Sequence, residues 1–88
     1  FVHIDCGFGG NQIEHKNILL FCLNNVYPKL STGAICVLMD YTGDDVIENG
    51  LDVNPGVKLA ASEFLKDKPE KMVALYGNEA YHGYFIKK

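Results

Sequence analysis

Apolar and polar positions divide the first half of the chain into a strand and a helix. Residues 1–4 are mostly apolar and predict a strand that ends at Asp5. From Gln12 to about Tyr27 apolar residues recur at roughly helical spacing, and Pro28 marks where the helix ends. Asn11 and Glu14 lie three residues apart at its start, which predicts a capping box.

A continuous apolar run occupies the middle of the chain. Residues 34–39 contain β-branched members and follow the turn-forming segment Ser31-Thr32-Gly33. Such a run is typical of a strand buried on both faces, within a parallel sheet that helices cover. Asp40 comes just past its end. The polar loop from Tyr41 to Asn54 is long enough to suggest function.

The last third of the chain predicts a second helix and a hairpin. Asn54-Pro55 is a helix start, and an apolar stripe from Val57 to Leu65 should face the core. Residues 66–71 form a charged connector, which we interpret as a solvated break. Residues 72–76 predict a strand, 77–83 a turn, and 84–86 a final strand antiparallel to the one before.

The order of elements is therefore β-α-β-α-β-β, which defines an α/β fold. The first three strands alternate with helices and should be parallel through right-handed crossovers. The last two form a C-terminal antiparallel hairpin. We expect residues 1–88 to form a single unit.

Composition excludes several classes of function. The chain has 88 residues, 48% of them hydrophobic, which argues against disorder. Its net charge is -3 without a Lys/Arg cluster, so we expect no nucleic-acid partner. No apolar run approaches the ~20 residues that span a membrane. The chain opens inside an apolar segment without a signal peptide, which we interpret as a fragment of a longer protein.

Three cysteines occur at wide spacing. An odd number without a C-x-x-C pair predicts neither a disulfide framework nor a zinc site. Cys22 and Cys36 lie in apolar runs and are expected to be buried, whereas Cys6 lies in a loop. A reducing, cytoplasmic setting fits this usage of cysteine.

Three segments carry a resemblance to a known family. They are NNVYPKLSTGAICVLMDY (24–41), NPGVKLAASEFL (54–65) and YHGYFIKK (81–88). Together they resemble the C-terminal half of a macrocin O-methyltransferase-like enzyme, a class I S-adenosylmethionine-dependent methyltransferase. The resemblance implies part of a Rossmann-like methyltransferase sheet that ends in the hairpin. It also implies methyl transfer to a small-molecule hydroxyl of the sugar or natural-product type.

The chain departs from that family at two places. The segment that follows Asp5 is longer than the family's Gly-Asp-x-Tyr stretch, and Met39-Asp40 stands where the family often has two adjacent carboxylates. The Gly-rich turn and the ribose-binding acid that hold S-adenosylmethionine are not in this chain, so a companion N-terminal segment should supply them.

The alternative is a catalytically degenerate module that dimerises, through a sheet edge that missing strands would otherwise cover.

Two aspartates are the candidate catalytic residues. Ligands of open α/β sheets bind outside the carboxyl ends of the strands, where Asp5 and Asp40 should lie on neighbouring strands. The resemblance implies that both hold a Mg²⁺ ion, which binds the acceptor hydroxyl, and that Tyr41 lines the substrate pocket. The alternative is that each aspartate caps the next helix or a loop N–H group.

Other residues are weaker candidates. We interpret Gly7-Phe8-Gly9-Gly10 as a flexible turn rather than a cofactor loop. His3 should be a core or cleft-wall residue and His15 should be exposed, while His82 in the hairpin turn is a possible substrate contact. The acidic loop with Asp44, Asp45 and Glu48 would lie over the cleft as a lid.

Overall fold

The elements follow one another in the predicted order. The computed structural model of the chain describes residues 1–6, 11–41, 55–77 and 80–88. Its elements are β1 (Val2–Ile4), α1 (Gln12–Val26), β2 (Ile35–Met39), α2 (Pro55–Leu65), β3 (Val73–Gly77) and β4 (Ala80–Ile86). A 3-10 turn at Tyr27–Lys29 contains Pro28 and closes α1. The mixed α/β class is confirmed, and none of the helices described here is long and apolar enough to cross a membrane.

The four strands form one mixed sheet in the order β1-β2-β4-β3. β1 and β2 are parallel, and β4 is antiparallel to both of its neighbours, β2 and β3. The parallel direction of the first three strands and the terminal hairpin agree with the sequence. However, β4 lies between β2 and β3, which places β3 at the far edge of the sheet.

The final strand is longer than the sequence predicts. Residues 81–83, expected in a turn, belong to β4, where His82 pairs with Met39 on one side and with Leu75 on the other. Ladders of hydrogen bonds to β2 and β3 on its two sides hold this segment extended, although Gly83 by itself disfavours a strand. The prediction of a long turn from 77 to 83 was therefore wrong.

Both helices pack against one face of the sheet. Strand residues Cys36, Leu38 and Phe85 are almost fully buried and meet Leu19 and Leu23 of α1. The predicted apolar stripe of α2 joins the same core, which is confirmed by the burial of Val57, Ala60, Ala61, Phe64 and Leu65. Cys36 is buried as expected, whereas Cys22 is only half-buried.

The opposite face of the sheet is exposed. Side chains alternate along a strand, so the residues between the core positions point away from the helices. Ile35, Leu75 and Ile86 are 38%, 49% and 49% exposed on this face. The prediction that residues 34–39 are buried on both faces was wrong, because none of the described elements packs on the second face.

Close contact between the helices overturns the expectation for His15. A Cβ at Gly56 would lie 2.7 Å from the backbone oxygen of Gln12, so only glycine permits this approach of α2 to α1. The N–H group of Gly56 donates a 3.1 Å hydrogen bond to Gln12 Oε1. His15, one turn farther along α1, is consequently 1% exposed instead of solvent-facing.

The charged connector contains a buried carboxylate. Glu70 is 2% exposed, although its neighbours Lys66, Asp67 and Lys71 are exposed. Its carboxylate accepts hydrogen bonds from Tyr27 and from the backbone of Lys88. The interpretation of this segment as a wholly solvated break was therefore wrong, because backbone and phenol donors satisfy the charge inside the protein.

Candidate functional site

Asp5 and Asp40 lie at the same end of the sheet, just past the carboxyl ends of β1 and β2. β1 and β2 are hydrogen-bonded neighbours with Ile4 opposite Leu38. Asp5 follows Ile4 directly, and Asp40 follows Met39, the last residue of β2. The predicted adjacency of their strands is thus confirmed, and the carboxyl ends of a parallel pair are where ligands bind in open α/β sheets.

Asp40 ends β2 with an unusual backbone conformation. Its φ of 63° is the one positive value at a non-glycine residue among the described positions. Aspartate tolerates this left-handed region better than most residues, because its short polar side chain can bond locally. The N–H group of Asp40 donates a 2.9 Å hydrogen bond to the backbone oxygen of Tyr81. This contact holds the residue that follows β2 against the neighbouring inner strand β4.

Helix capping does not account for Asp5. The side chain of Asn11 accepts hydrogen bonds from the N–H groups of Ile13 and Glu14, at 2.9 and 3.2 Å. Asn11 is therefore the N-cap of α1, as the sequence predicts, and Asp5 is not. The corresponding cap of α2 would be Asn54, which lies outside the described residues.

The two carboxylates limit which metal chemistry fits this edge. Within the described part of the chain, no three His, Cys, Asp or Glu side chains are grouped closely enough to hold a metal ion. Mg²⁺ often takes one or two carboxylates from the protein and completes its shell with water and substrate oxygens. Two carboxylates are the number such an ion takes, and the role of Asp5 and Asp40 as metal ligands stays a prediction.

Tyr41 lies on the helix side of the sheet. Its ring packs over Gly83, where a Cβ would come within 2.6 Å of two of its ring carbons. The half-buried side chain lines an open groove of about 370 Å³ with Ser62, Lys66 and Met72. The groove offers an aromatic wall beside a hydroxyl and an ammonium group, which suits a polar small molecule. The predicted substrate-binding role of Tyr41 stays a prediction.

Two histidines meet on the exposed face of the sheet. The rings of His3 on β1 and His82 on β4 lie 6.1 Å apart, measured between centroids, with their planes at 41°. They reach towards each other across β2, where they are opposite Val37 and Met39. No sequence pattern indicates this contact, because 78 residues lie between the two histidines and the sequence predicts a turn at His82. The alternation of β1 is the one local signal, since it places His3 on the face opposite Ile4.

Two predicted features lie outside the described residues. One is the glycine turn at positions 7–10, and the other is the acidic loop with Asp44, Asp45 and Glu48. The described site therefore consists of the aspartate pair, Tyr41 with its groove, and the two histidines.

Comparisons of this chain with known protein families, with characterised proteins and with solved structures found no match.

Proposed function

We propose that this chain is the C-terminal half of a class I S-adenosylmethionine-dependent O-methyltransferase that acts on a small-molecule hydroxyl. The acceptor would be of the sugar or natural-product type, and the setting cytoplasmic. The observation that carries the proposal is the pair Asp5 and Asp40, at the carboxyl ends of neighbouring parallel strands. The parallel pair that continues into an antiparallel hairpin supports it, because the resemblance implies this arrangement.

The aspartates would position the acceptor for methyl transfer. In this mechanism the carboxylates of Asp5 and Asp40 hold the acceptor hydroxyl in line with the methyl sulfonium of the cofactor. The new O–CH₃ bond forms as the S–CH₃ bond breaks, and the hydroxyl proton passes to a carboxylate or to water. A bound Mg²⁺ would lower the pKa of the hydroxyl. Tyr41 would contact the acceptor from the helix side.

The test is methyl transfer by the full product of the natural reading frame. Purified protein would be titrated calorimetrically with S-adenosylmethionine and then assayed with methyl-labelled cofactor against sugars and hydroxylated natural products. We expect Asp5→Asn and Asp40→Asn each to lower kcat/KM by about 10²-fold or more. Asp67→Asn is the control, since this exposed carboxylate lies beyond the C-terminal end of α2 and pairs with Lys68.

Two results would contradict the proposal. A full-length protein that binds no S-adenosylmethionine is not such a methyltransferase. If methyl transfer is unchanged in both aspartate variants, Asp5 and Asp40 do not form the active site, although the protein is still a methyltransferase.

The exposed sheet face favours a second candidate, a methyltransferase-like module that dimerises. The face that carries Ile35, Val37, Leu75, Tyr84 and Ile86 is open and leaves large apolar side chains exposed to solvent, and a contiguous exposed apolar patch is typical of an interaction surface. A second copy of this chain would cover it with an identical apolar surface. This surface forms a shallow groove of about 360 Å³.

Sedimentation equilibrium distinguishes this candidate. We expect the 88-residue chain to self-associate at micromolar concentration, and Leu75→Lys or Ile86→Lys to make it monomeric. Phe21→Lys is the matched control, because Phe21 is 70% exposed on α1, which packs on the other face of the sheet. A monomer at all concentrations, or equal effects of the three variants, would contradict dimerisation through this face.

A further inference from the structure

We propose that His3 and His82 form a binding site for a transition-metal ion such as Zn²⁺ on the open face of the sheet. Their rings lie 6.1 Å apart between centroids, with the planes at 41°. Imidazole is the commonest metal ligand of proteins and suits Zn²⁺, Cu²⁺ and Ni²⁺. This site uses neither Asp5 nor Asp40, so it is independent of the proposed function.

The sheet brings the two rings together over β2. His3 is opposite Val37 on one side of β2, and His82 is opposite Met39 on the other side. Neighbouring strands are about 4.8 Å apart, so the backbones of β1 and β4 are separated by about 10 Å. Both side chains therefore lean inward across β2 to reach the observed separation of their rings.

The distance between the rings fits a shared ion. A bond from a metal to an imidazole nitrogen is about 2.0–2.1 Å long, and the ring centre lies about 1.1 Å behind the nitrogen. Two imidazoles on one ion therefore have centroids about 4.5–6.5 Å apart, depending on the angle between the two bonds. The observed 6.1 Å lies within this range. Rotation about χ2, which is broad for histidine, aims one nitrogen of each ring at the ion.

Both ligands are accessible, and their backbones are fixed. His3 is exposed and His82 is half-buried, so an ion can enter from solvent without opening the fold. β1 pairs with β2, and β4 pairs with β2 and β3, which holds the two backbones in place and limits the entropy lost on binding. The remaining histidine, His15 on α1, is 1% exposed and lies on the other side of the sheet.

The bound ion would keep open coordination positions. Among the residues that the structure describes, no three His, Cys, Asp or Glu side chains are grouped closely enough to hold a metal ion. Two imidazoles therefore fill about half of a tetrahedral Zn²⁺ shell, and water or a ligand from outside the chain fills the rest. The nitrogen ligands select against Mg²⁺, which prefers oxygen.

The experiment is calorimetric titration of the full chain with ZnCl₂ in a buffer that does not coordinate zinc. We expect one Zn²⁺ per chain with a Kd of about 1–100 µM, because two of the usual four ligands are present. His3→Gln and His82→Gln should each weaken binding by about tenfold or more. The double variant should lose little more than either single variant, because chelation needs both rings.

The control is Cys22→Ser, which removes a half-buried thiol on α1 and should leave the Kd unchanged. Zn²⁺ is the probe because a free amino group near His3 could hold Cu²⁺ or Ni²⁺ in a square-planar site by itself. Thermal unfolding is a second measurement and shows that the variants fold. Zn²⁺ at about 100 times the Kd should raise the Tm of the wild type and of Cys22→Ser by roughly 10–20 °C, and should leave both histidine variants nearly unchanged.

Four results would overturn the proposal. Unchanged Zn²⁺ affinity in His82→Gln would show that binding does not need both rings. Loss of binding in Cys22→Ser would assign the ion to a thiol. One ion per two chains would place the ligands on two copies and contradict a chelate within one chain. No heat of binding and no rise in Tm up to about 1 mM Zn²⁺ would mean that the histidine pair is not a metal site.

Discussion

The phenol of Tyr27, at the end of α1, donates a 2.8 Å hydrogen bond to Glu70 in the connector before β3. The other carboxylate oxygen of Glu70 accepts a 3.0 Å hydrogen bond from the N–H group of Lys88. One buried carboxylate thus joins the end of a helix, a connector and the last residue of the chain. Hydrogen bonds to a buried charged group are among the stronger ones.

Glu70→Gln should destabilise the protein. The amide turns an N–H₂ group towards donors that need an acceptor, so we expect a loss of about 1–3 kcal/mol in the free energy of unfolding. Urea denaturation measures it. Glu63→Gln is the control, because Glu63 is exposed and its 3.4 Å ion pair with Lys16 contributes less than about 1 kcal/mol. Equal losses in the two variants would show that Glu70 has no special role.

The same carboxylate predicts a pH dependence. Burial raises the pKa of Glu70, but the hydrogen bonds from Lys88 and Tyr27 outweigh it and hold the pKa below its usual value. A lowered pKa contributes stability that is complete above the unfolded value, about 4.3, and is lost as the pH falls through the folded value. Below about pH 4 the wild type should therefore lose stability more steeply than Glu70→Gln. Parallel stability curves from about pH 6 to about pH 3 would contradict this.

Gly83→Ala should disturb the contact beneath Tyr41. The new Cβ would lie 2.6 Å from ring carbons of Tyr41 and from Met72 Cε. We therefore expect the free energy of unfolding to fall by about 1–3 kcal/mol. The same change made in a Tyr41→Ala background should cost less, since only the flexible end of Met72 would then have to move. A double-mutant cycle on chemical denaturation measures the coupling, and additive effects would refute the contact.

Two leucines test the difference between the faces of the sheet. Leu38→Ala should lower the free energy of unfolding by about 2–5 kcal/mol, because Leu38 is fully buried against the helices. Leu75→Ala removes the same atoms from the exposed face and should cost less than about 1 kcal/mol in a monomer. Thermal or urea unfolding at low protein concentration compares them. A large cost at Leu75 that grows with concentration would instead indicate that another copy covers this face.

The helix cap is the simplest prediction to check. Asn11→Ala removes the side chain that accepts hydrogen bonds from two N–H groups at the start of α1. It should lower the free energy of unfolding by about 1 kcal/mol. Asn17→Ala, at an exposed position within α1, is the control and should be neutral or slightly stabilising, because alanine favours helices. Urea denaturation compares the two variants, and a neutral Asn11→Ala would contradict the cap.

Parts of the candidate site were predictable because they depend on local order. A strand, a helix and a second strand form a right-handed parallel unit, so Asp5 and Asp40 had to reach the same edge once β1 and β2 became neighbours. The contact between His3 and His82 was not predictable in this way. It depends on how whole strands pair, and no spacing within the sequence encodes it.

The sequence by itself determined the order of the elements and the cap of α1, since hydrophobic period and capping residues act over a few neighbours. It also determined that α2 turns its apolar stripe to the core. Only the tertiary structure decided that β4 enters between β2 and β3, because a strand can pair with any free edge whatever its distance along the chain. That choice placed His82 near His3 and buried Phe85. Glu70 was likewise buried by tertiary contacts alone, because its hydrogen-bond donors come from remote segments.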